Sequence, residues 1–211
     1  MVARLNFFNR SLNNKIDNTL NDLEKDGWSV QEHFFPIELT QKLKETLTSL
    51  RQQGNLKQAG IGRKNDFHIE RSIRNDEISW FDENNLNESQ EKFLNITQQL
   101  QDAINQRFYL GLFEFEIHFA LYSPNAFYKR HLDQHKNHDT RVLTFITYLN
   151  ENWDDEDGGK LQLYLKNDET VSISPNAGTV VCFFSADFEH EVLPAKRERA
   201  SLTGWFRKRT N

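Results

Sequence analysis

A double-stranded β-helix, or jelly roll, buttressed by N-terminal helices is the mainly β fold class this sequence predicts, and three observations carry it. Helical periodicity is confined to the stretch before Gly111. Beyond Gly111 the pattern turns to short alternating strands punctuated by Gly, Pro and Asn. Helices first and many short strands after place the helices on one face of a sheet that closes into a two-sheet body. With 211 residues the chain suits one well-buried domain over 1–211, divided into helical support over 1–110 and a jelly-roll core over 111–207.

Leu12, Ile16, Leu20 and Leu23 recur at helical spacing and Gly27 ends the pattern, which predicts a first helix. Residues 28–35 read as a strand. Pro36 then opens a second helix with an apolar stripe of Leu39, Leu43, Leu47 and Leu50, stopped at Gly54. From 58 to 87 no period is sustained, and the stretch reads as a strand pair joined by a mobile loop. Helical spacing returns with Phe93, Ile96, Leu100 and Ile104, after Asn87 with Gln90 three residues later, a start of capping-box type. Residues 113–122 then alternate: Phe113, Phe115, Ile117, Phe119 and Leu121 share one face, Glu114, Glu116, His118, Ala120 and Tyr122 the other. Further strands are expected over 141–149, 161–165, 171–174, 178–184 and 199–206.

Composition narrows the function. A net charge of −5 and the lack of a basic run argue against nucleic acid as a partner. No apolar run approaches the length of a membrane span, and the first residues lack the apolar core of a signal peptide, so a cytoplasmic protein without a membrane partner is expected. The one cysteine, Cys182, lies in an apolar run and reads as a buried structural thiol. The basic residues of 196–198 and 207–209 read as solvated, and Asp154 to Gly158 as a solvated turn, because Trp153 stands where a calcium loop needs its first carboxylate.

The chemistry concentrates between Arg130 and Arg199. His131 and Asp133 share a face if the chain there is extended, and His190 follows on a later strand. Two histidines and a carboxylate are the ligand types of a facial triad that holds non-haem Fe(II) and leaves positions open for substrate and oxygen. A helical zinc pair of His131 and His135 competes but lacks the glutamate after the first histidine; His135 and His138 read as exposed loop residues. Nine residues past His190, Arg199 begins an alternating strand with Ser201, Thr203 and Trp205 on its own face. A guanidinium fork, two hydroxyls and an aromatic wall suit a small dicarboxylate.

These residues resemble a known family. Tyr128 to Asp133, Arg141 through Asn150, Trp153 with Gly158 and Gly159, His190 to Ala195 with Arg199, and Ile73 to Trp80 are similar to the 2-oxoglutarate/Fe(II) dioxygenases of the prolyl 4-hydroxylase superfamily, and within it to hypoxia-sensing prolyl hydroxylases and their bacterial relatives. The resemblance implies Fe(II) on His131, Asp133 and His190, with 2-oxoglutarate and O2 as cosubstrates and ascorbate as reductant. It assigns the distal carboxylate of 2-oxoglutarate to Arg199 and Tyr148. Tyr122, Thr203 and Trp205 line the cosubstrate pocket, and no catalytic side chain is expected beyond the metal centre.

For the substrate, the resemblance implies a protein or peptide carrying a target proline, with Arg74, Asp76, Trp80, Tyr128 and Arg141 around the entrance and an exposed Asp76–Arg141 ion pair at its rim. The stretch 63–85 would be the loop that closes over the peptide. His118 departs from the family, which has an apolar residue there; it stands beside the cosubstrate or is a satisfied core histidine. Hydroxylation of another side chain or of a free amino acid, a non-catalytic jelly-roll binding module and a zinc hydrolase are the alternatives. The sequence leaves the target protein and the oligomeric state open.

Overall fold

The computed structural model describes residues 2–61, 68–134, 140–166 and 169–209, of which 2–9 are described by backbone alone. Three helices, α1 (Val2–Asp26), α2 (Ile37–Gln52) and α3 (Glu88–Phe108), precede the main strands. Their apolar stripes are buried as the spacing predicts: Leu12, Ile16, Leu20 and Leu23 on α1, Leu39, Leu43 and Leu47 on α2, Phe93, Ile96, Leu100 and Ile104 on α3. Asn87 and Gln90 form the reciprocal capping box at the start of α3. Its last turn closes on Tyr109 in the left-handed region.

Eight strands follow: β4 (Leu112–Tyr122), β5 (Tyr128–His131), β6 (Arg141–Tyr148), β7 (Leu161–Tyr164), β8 (Thr170–Ile173), β9 (Val180–Phe184), β10 (His190–Val192) and β11 (Arg199–Lys208). They divide four and four between two antiparallel sheets, in the orders β9-β6-β11-β4 and β5-β10-β7-β8. This is the double-stranded β-helix. The larger sheet is extended to seven strands by β1 (Trp28–Gln31) beyond β9 and by β3 (Glu77–Trp80) and β2 (Lys57–Gln58) beyond β4. The stretch before Gly111 thus contributes three strands to the sheet as well as its helical cover.

Period-two alternation sorts the larger sheet's side chains into two cores. Ile117, Phe119, Leu121, Phe145, Leu202 and Phe206 pack against the helices. Ala120, Tyr122, Ile146, Tyr148, Val181 and Phe183 face the smaller sheet, where Leu161, Leu163 and Val192 meet them. The active-site candidates lie between the sheets, in the second core.

Four expectations are corrected. The strand expected over 28–35 ends at Gln31, because His33 turns with φ 52° and sends Phe34 and Phe35 into the core. Their amides then donate to the Gly178 carbonyl at 2.7 and 3.3 Å. Phe113 is half exposed, because the β4–β11 register slips between Glu114 and Leu112 and Leu112 takes the core position instead, and Arg209 lies over the Phe113 ring. Arg197 is not merely solvated: it donates to the Glu151 and Asn152 carbonyls, pairs with Asp157 and stacks on Trp153. Likewise Arg207 bridges Glu114 and Glu116. His135, His138 and residues 63–67 of the expected loop lie outside the described residues. Cys182 is buried as expected, and burial pushes its thiol up to about 12.

Candidate active site

His131 and His190 of the smaller sheet converge with Asp133, which lies just beyond β5. Their ligand atoms all lie within 4.8 Å of one another, and each histidine Nε2 is 3.4 Å from a different Asp133 oxygen. Strand register explains the two histidines, since β5 and β10 are antiparallel partners with His131 opposite His190. Asp133 is not on the strand as the spacing suggested: β5 ends at His131, and Asp133 follows in a bend. The larger sheet holds it there, for the Thr144 hydroxyl donates to Asp133 Oδ2 at 2.8 Å and lies 2.9 Å from Ser185 Oγ.

Each imidazole has its Nδ1 turned to a main-chain carbonyl, His131 to Lys129 at 2.7 Å and His190 to Phe188 at 3.3 Å. A carbonyl only accepts, so Nδ1 carries the proton and the Nε2 lone pairs point inward. Burial pushes the His190 imidazole down to about 4, which keeps it neutral. Burial acts the other way on Asp133, but the His190 and His131 groups outweigh it and hold the carboxyl well below its usual range. The trio therefore presents two imidazole Nε2 atoms and one carboxylate to a common point.

Arg199, Ser201, Thr203 and Trp205 line one cavity of about 520 Å3 together with the trio and Tyr122, which confirms the shared face of β11. Arg199 is fully buried. Its Nε donates to the Gly159 carbonyl at 2.8 Å, while Nη1 and Nη2 have no protein partner. Tyr148 Oη and Trp205 Nε1 are buried without partners too, and the Arg199 guanidinium carbon is 5.1 Å from the Tyr148 and Tyr122 ring centres. Gly159 makes this possible. With φ 66°, it sits where an added Cβ would come within 2.8 Å of the Ala195 Cβ and 3.3 Å of the Arg199 Cδ.

Trp80, Tyr128, His118 and Trp205 also line the cavity, and Trp80 brings it to the surface. The expected Asp76–Arg141 pair is not formed. Asp76 is completely buried and takes both oxygens to Arg74, at 2.8 Å from Nε and 2.6 Å from Nη2. Arg141 instead pairs with Glu116 at 2.7 Å and lies 3.4 Å over the Trp205 ring. The reason is proximity on the sheet: Glu116 stands opposite Trp205 in register, so it meets Arg141 before Asp76 can. Trp80 is half exposed at the mouth, edge-on to His118 at 4.7 Å. His118 fits both of its readings, lining the cavity while its Nδ1 meets the Phe119 carbonyl. Sequence reasoning missed Glu116, Thr144 and Ser185 as parts of the site. Glu116 could have been found, because it shares the His118 and Tyr122 face of β4; nothing local marks the other two.

Residues 117–207 match the family model described as the 2OG-Fe(II) oxygenase superfamily. The chain is 42% identical to a Pseudomonas putida prolyl-4-hydroxylase of known crystal structure, with a TM-score of 0.85, covering 92% of this chain and all of that one. It belongs to the 2OG-Fe(II) oxygenase superfamily. A prolyl hydroxylase from Trichoplax adhaerens, solved with a peptide of the hypoxia inducible factor oxygen degradation domain, is 26% identical with a TM-score of 0.84, over 99% of this chain and 94% of that one. The hypoxia-inducible factor prolyl hydroxylase of Caenorhabditis elegans is 31% identical over 98% of this chain. The chain spans only 29% of that curated relative's length. This family uses Fe(II), 2-oxoglutarate and O2. The residues present fit them: a donor set of two imidazoles and a carboxylate lines the same cavity as Arg199, whose two guanidinium nitrogens have no partner and lie near the buried Tyr148 phenol, the complement of a metal-bound dicarboxylate.

Proposed function

We propose that this oxygenase is a protein prolyl 4-hydroxylase, with Fe(II) held by His131, Asp133 and His190 and the distal carboxylate of 2-oxoglutarate held by Arg199 and Tyr148. The observation that carries the substrate reading is the character of the outer chamber. Its walls are the rings of Trp80, Tyr128 and Trp205, and its two guanidiniums, Arg74 and Arg141, are each engaged by a carboxylate of the protein. Such a chamber favours an uncharged aliphatic ring. A free amino acid would bring an ammonium and a carboxylate to a place where the charges are already matched. Structural likeness to a relative solved with a bound peptide supports a protein substrate over a free one.

When bound, Fe(II) with 2-oxoglutarate and O2 supplies oxidative decarboxylation to succinate and CO2 coupled to insertion of one oxygen atom into a C–H bond. The chain's own residues orient and shield that chemistry. Arg199, on the cavity wall with two unpartnered guanidinium nitrogens, and the buried Tyr148 phenol near it would hold one end of the dicarboxylate, leaving its other end for the trio on the same cavity. Thr144 anchors Asp133, and the Lys129 and Phe188 carbonyls fix the tautomers of the two histidines. Trp205, Ile146 and Leu161 keep water from the reacting atoms.

The test is mass spectrometry of the cognate proteome with and without the intact gene. A prolyl residue that gains one oxygen only when the gene is intact supports the proposal. Oxygen found solely on another side chain or on a free amino acid would refute it. Separately, His190→Ala should abolish 2-oxoglutarate decarboxylation, and full turnover by that variant would overturn the ligand assignment.

A further inference from the structure

The edge of the smaller sheet carries a device that the ligand trio alone does not explain. β5 is an edge strand, and its outer side is covered by residues 73–75. That segment is zipped to it. Lys129 N donates to the Ile73 carbonyl at 2.9 Å, Asn75 N to the Phe127 carbonyl at 3.3 Å, and Phe127 N to Asn75 Oδ1 at 2.7 Å. The register of β5 with β10 slips by one residue, since His190 faces His131 but Val192 faces Tyr128. Residues three apart on a strand normally point to opposite faces, and the extra residue of a bulge brings them to the same one. Tyr128 accordingly stacks flat on the His131 imidazole, ring centres 3.5 Å apart and planes at 14°. The Arg74 guanidinium lies 4.2 Å from the centre of the Tyr128 ring, and the buried carboxylate of Asp76 holds that guanidinium with two bonds.

We infer that Asp76, Arg74 and Tyr128 are positioning residues for His131, forming a stack that ties the entrance segment to the metal centre. The inference rests on the proposed reading of His131 as a metal ligand. His190 needs no such support, because it lies on an inner strand with Phe183 packed edge-on at 4.9 Å. The ring of His131 is partly open to the cavity; apart from Tyr128 it meets the Lys129 carbonyl 2.7 Å from Nδ1, its one close hydrogen bond, and more loosely Asp133 at 3.4 Å from Nε2 and the tilted His190 ring at 4.3 Å. One hydrogen bond leaves an imidazole free to pivot about it; a flat contact against the ring face removes that freedom. By linkage, whatever orders the segment tightens the metal, and the metal in turn orders the segment.

The experiment measures Mn(II) affinity by the free-ion EPR signal and the visible spectrum of the Co(II)-loaded protein. The variants are Tyr128→Phe, Tyr128→Leu and the double replacement Arg74→Met/Asp76→Leu, which removes the buried ion pair without leaving a lone charge. Tyr128→Phe keeps the stack and should match wild type. Tyr128→Leu and the double variant should lose about 10-fold in Mn(II) affinity, the scale for outer-shell partners of a ligating histidine, and shift the Co(II) bands. Hydrogen exchange adds a readout that plain stability would not move. Mn(II) should slow exchange of the Asn75, Phe127 and Lys129 amides in wild type and not in Tyr128→Leu. If His131→Ala binds Mn(II) as wild type does, the ligand reading fails and this inference with it. If His131→Ala loses the metal while Tyr128→Leu and the double variant keep wild-type affinity and spectrum, the ligand reading stands and the positioning role is overturned.

Discussion

Replacing Arg199 with methionine should leave the ligand-free protein at least as stable as wild type while removing its response to 2-oxoglutarate. Without ligand, Arg199 has one protein hydrogen bond, from Nε to the Gly159 carbonyl, and two buried nitrogens without partners. Each unsatisfied buried donor costs about 1–3 kcal/mol, against roughly 1.5–3 kcal/mol for one hydrogen bond of a charged group. Two such donors against one bond leave roughly 2 kcal/mol in favour of the variant at the middle of these ranges. Ordinary truncation of a large buried side chain costs roughly 2–5 kcal/mol instead. With Mn(II) present and 2-oxoglutarate at about 100 times its Kd, wild type should gain about 2.7 kcal/mol. For a chain of this size that is a Tm rise of roughly 5–11 °C. Thermal unfolding of both proteins with and without 2-oxoglutarate is the assay. The reasoning is refuted if the variant loses several kcal/mol before any ligand is added, or if its Tm rises with 2-oxoglutarate as far as that of wild type.

Three further outcomes are expected. Burial, then the Arg74 charge, push His118 down to about 4, so its neutral form stabilises the fold fully above the free-imidazole value of about 6.5, and that contribution is lost as pH falls toward 4. The full loss is about 3 kcal/mol, and urea unfolding at pH 7 and pH 5 should show wild type losing more stability than His118→Leu, by about 2 kcal/mol; parallel pH profiles would rule the burial argument out. Gly159→Ala should lower both Tm and 2-oxoglutarate affinity, because its methyl meets Ala195 at 2.8 Å and crowds Arg199; calorimetric titration showing wild-type affinity would count against Gly159 as the seat of Arg199. Asp76→Asn should cost about 3–5 kcal/mol by leaving the Arg74 charge buried and unpaired, whereas Arg74→Met/Asp76→Leu should recover most of it; equal losses in the two by chemical denaturation would contradict that account.

Features that repeat along the chain were legible in the sequence. The leucine stripes of α1 and α2, the capping box of Asn87 and Gln90, the alternation of β11 and that of β4 from Phe115 onward are local patterns, and the structure reproduces each. Two of the candidate ligands fell out of strand logic because His131 and His190 lie on paired strands. What stayed hidden was set by competition between distant groups. Asp76 and Glu116 are both acidic, and Arg74 and Arg141 both basic; which carboxylate meets which guanidinium depends on the register of β3 and β11 on β4. The same holds for Asp133, whose position depends on Thr144 and not on strand spacing. The bulge in β5 was invisible because it exists only relative to β10.

The pairing of Ile73 and Asn75 with β5 bears on how such an enzyme acquires a new target. Gly60, Ile61, Ile78 and Trp80 lie outside the eight-strand body and form part of the chamber that receives the substrate. Recognition could therefore drift by exchange of those residues while the reacting centre stays as it is. The four residues from Ile73 to Asp76 do not share that liberty, for they grip the strand that bears His131. Redesign of this oxygenase for another peptide should accordingly vary the chamber on both sides of that grip and leave Arg74, Asn75 and Asp76 in place, since a library that randomises them would trade specificity against the hold on its own iron.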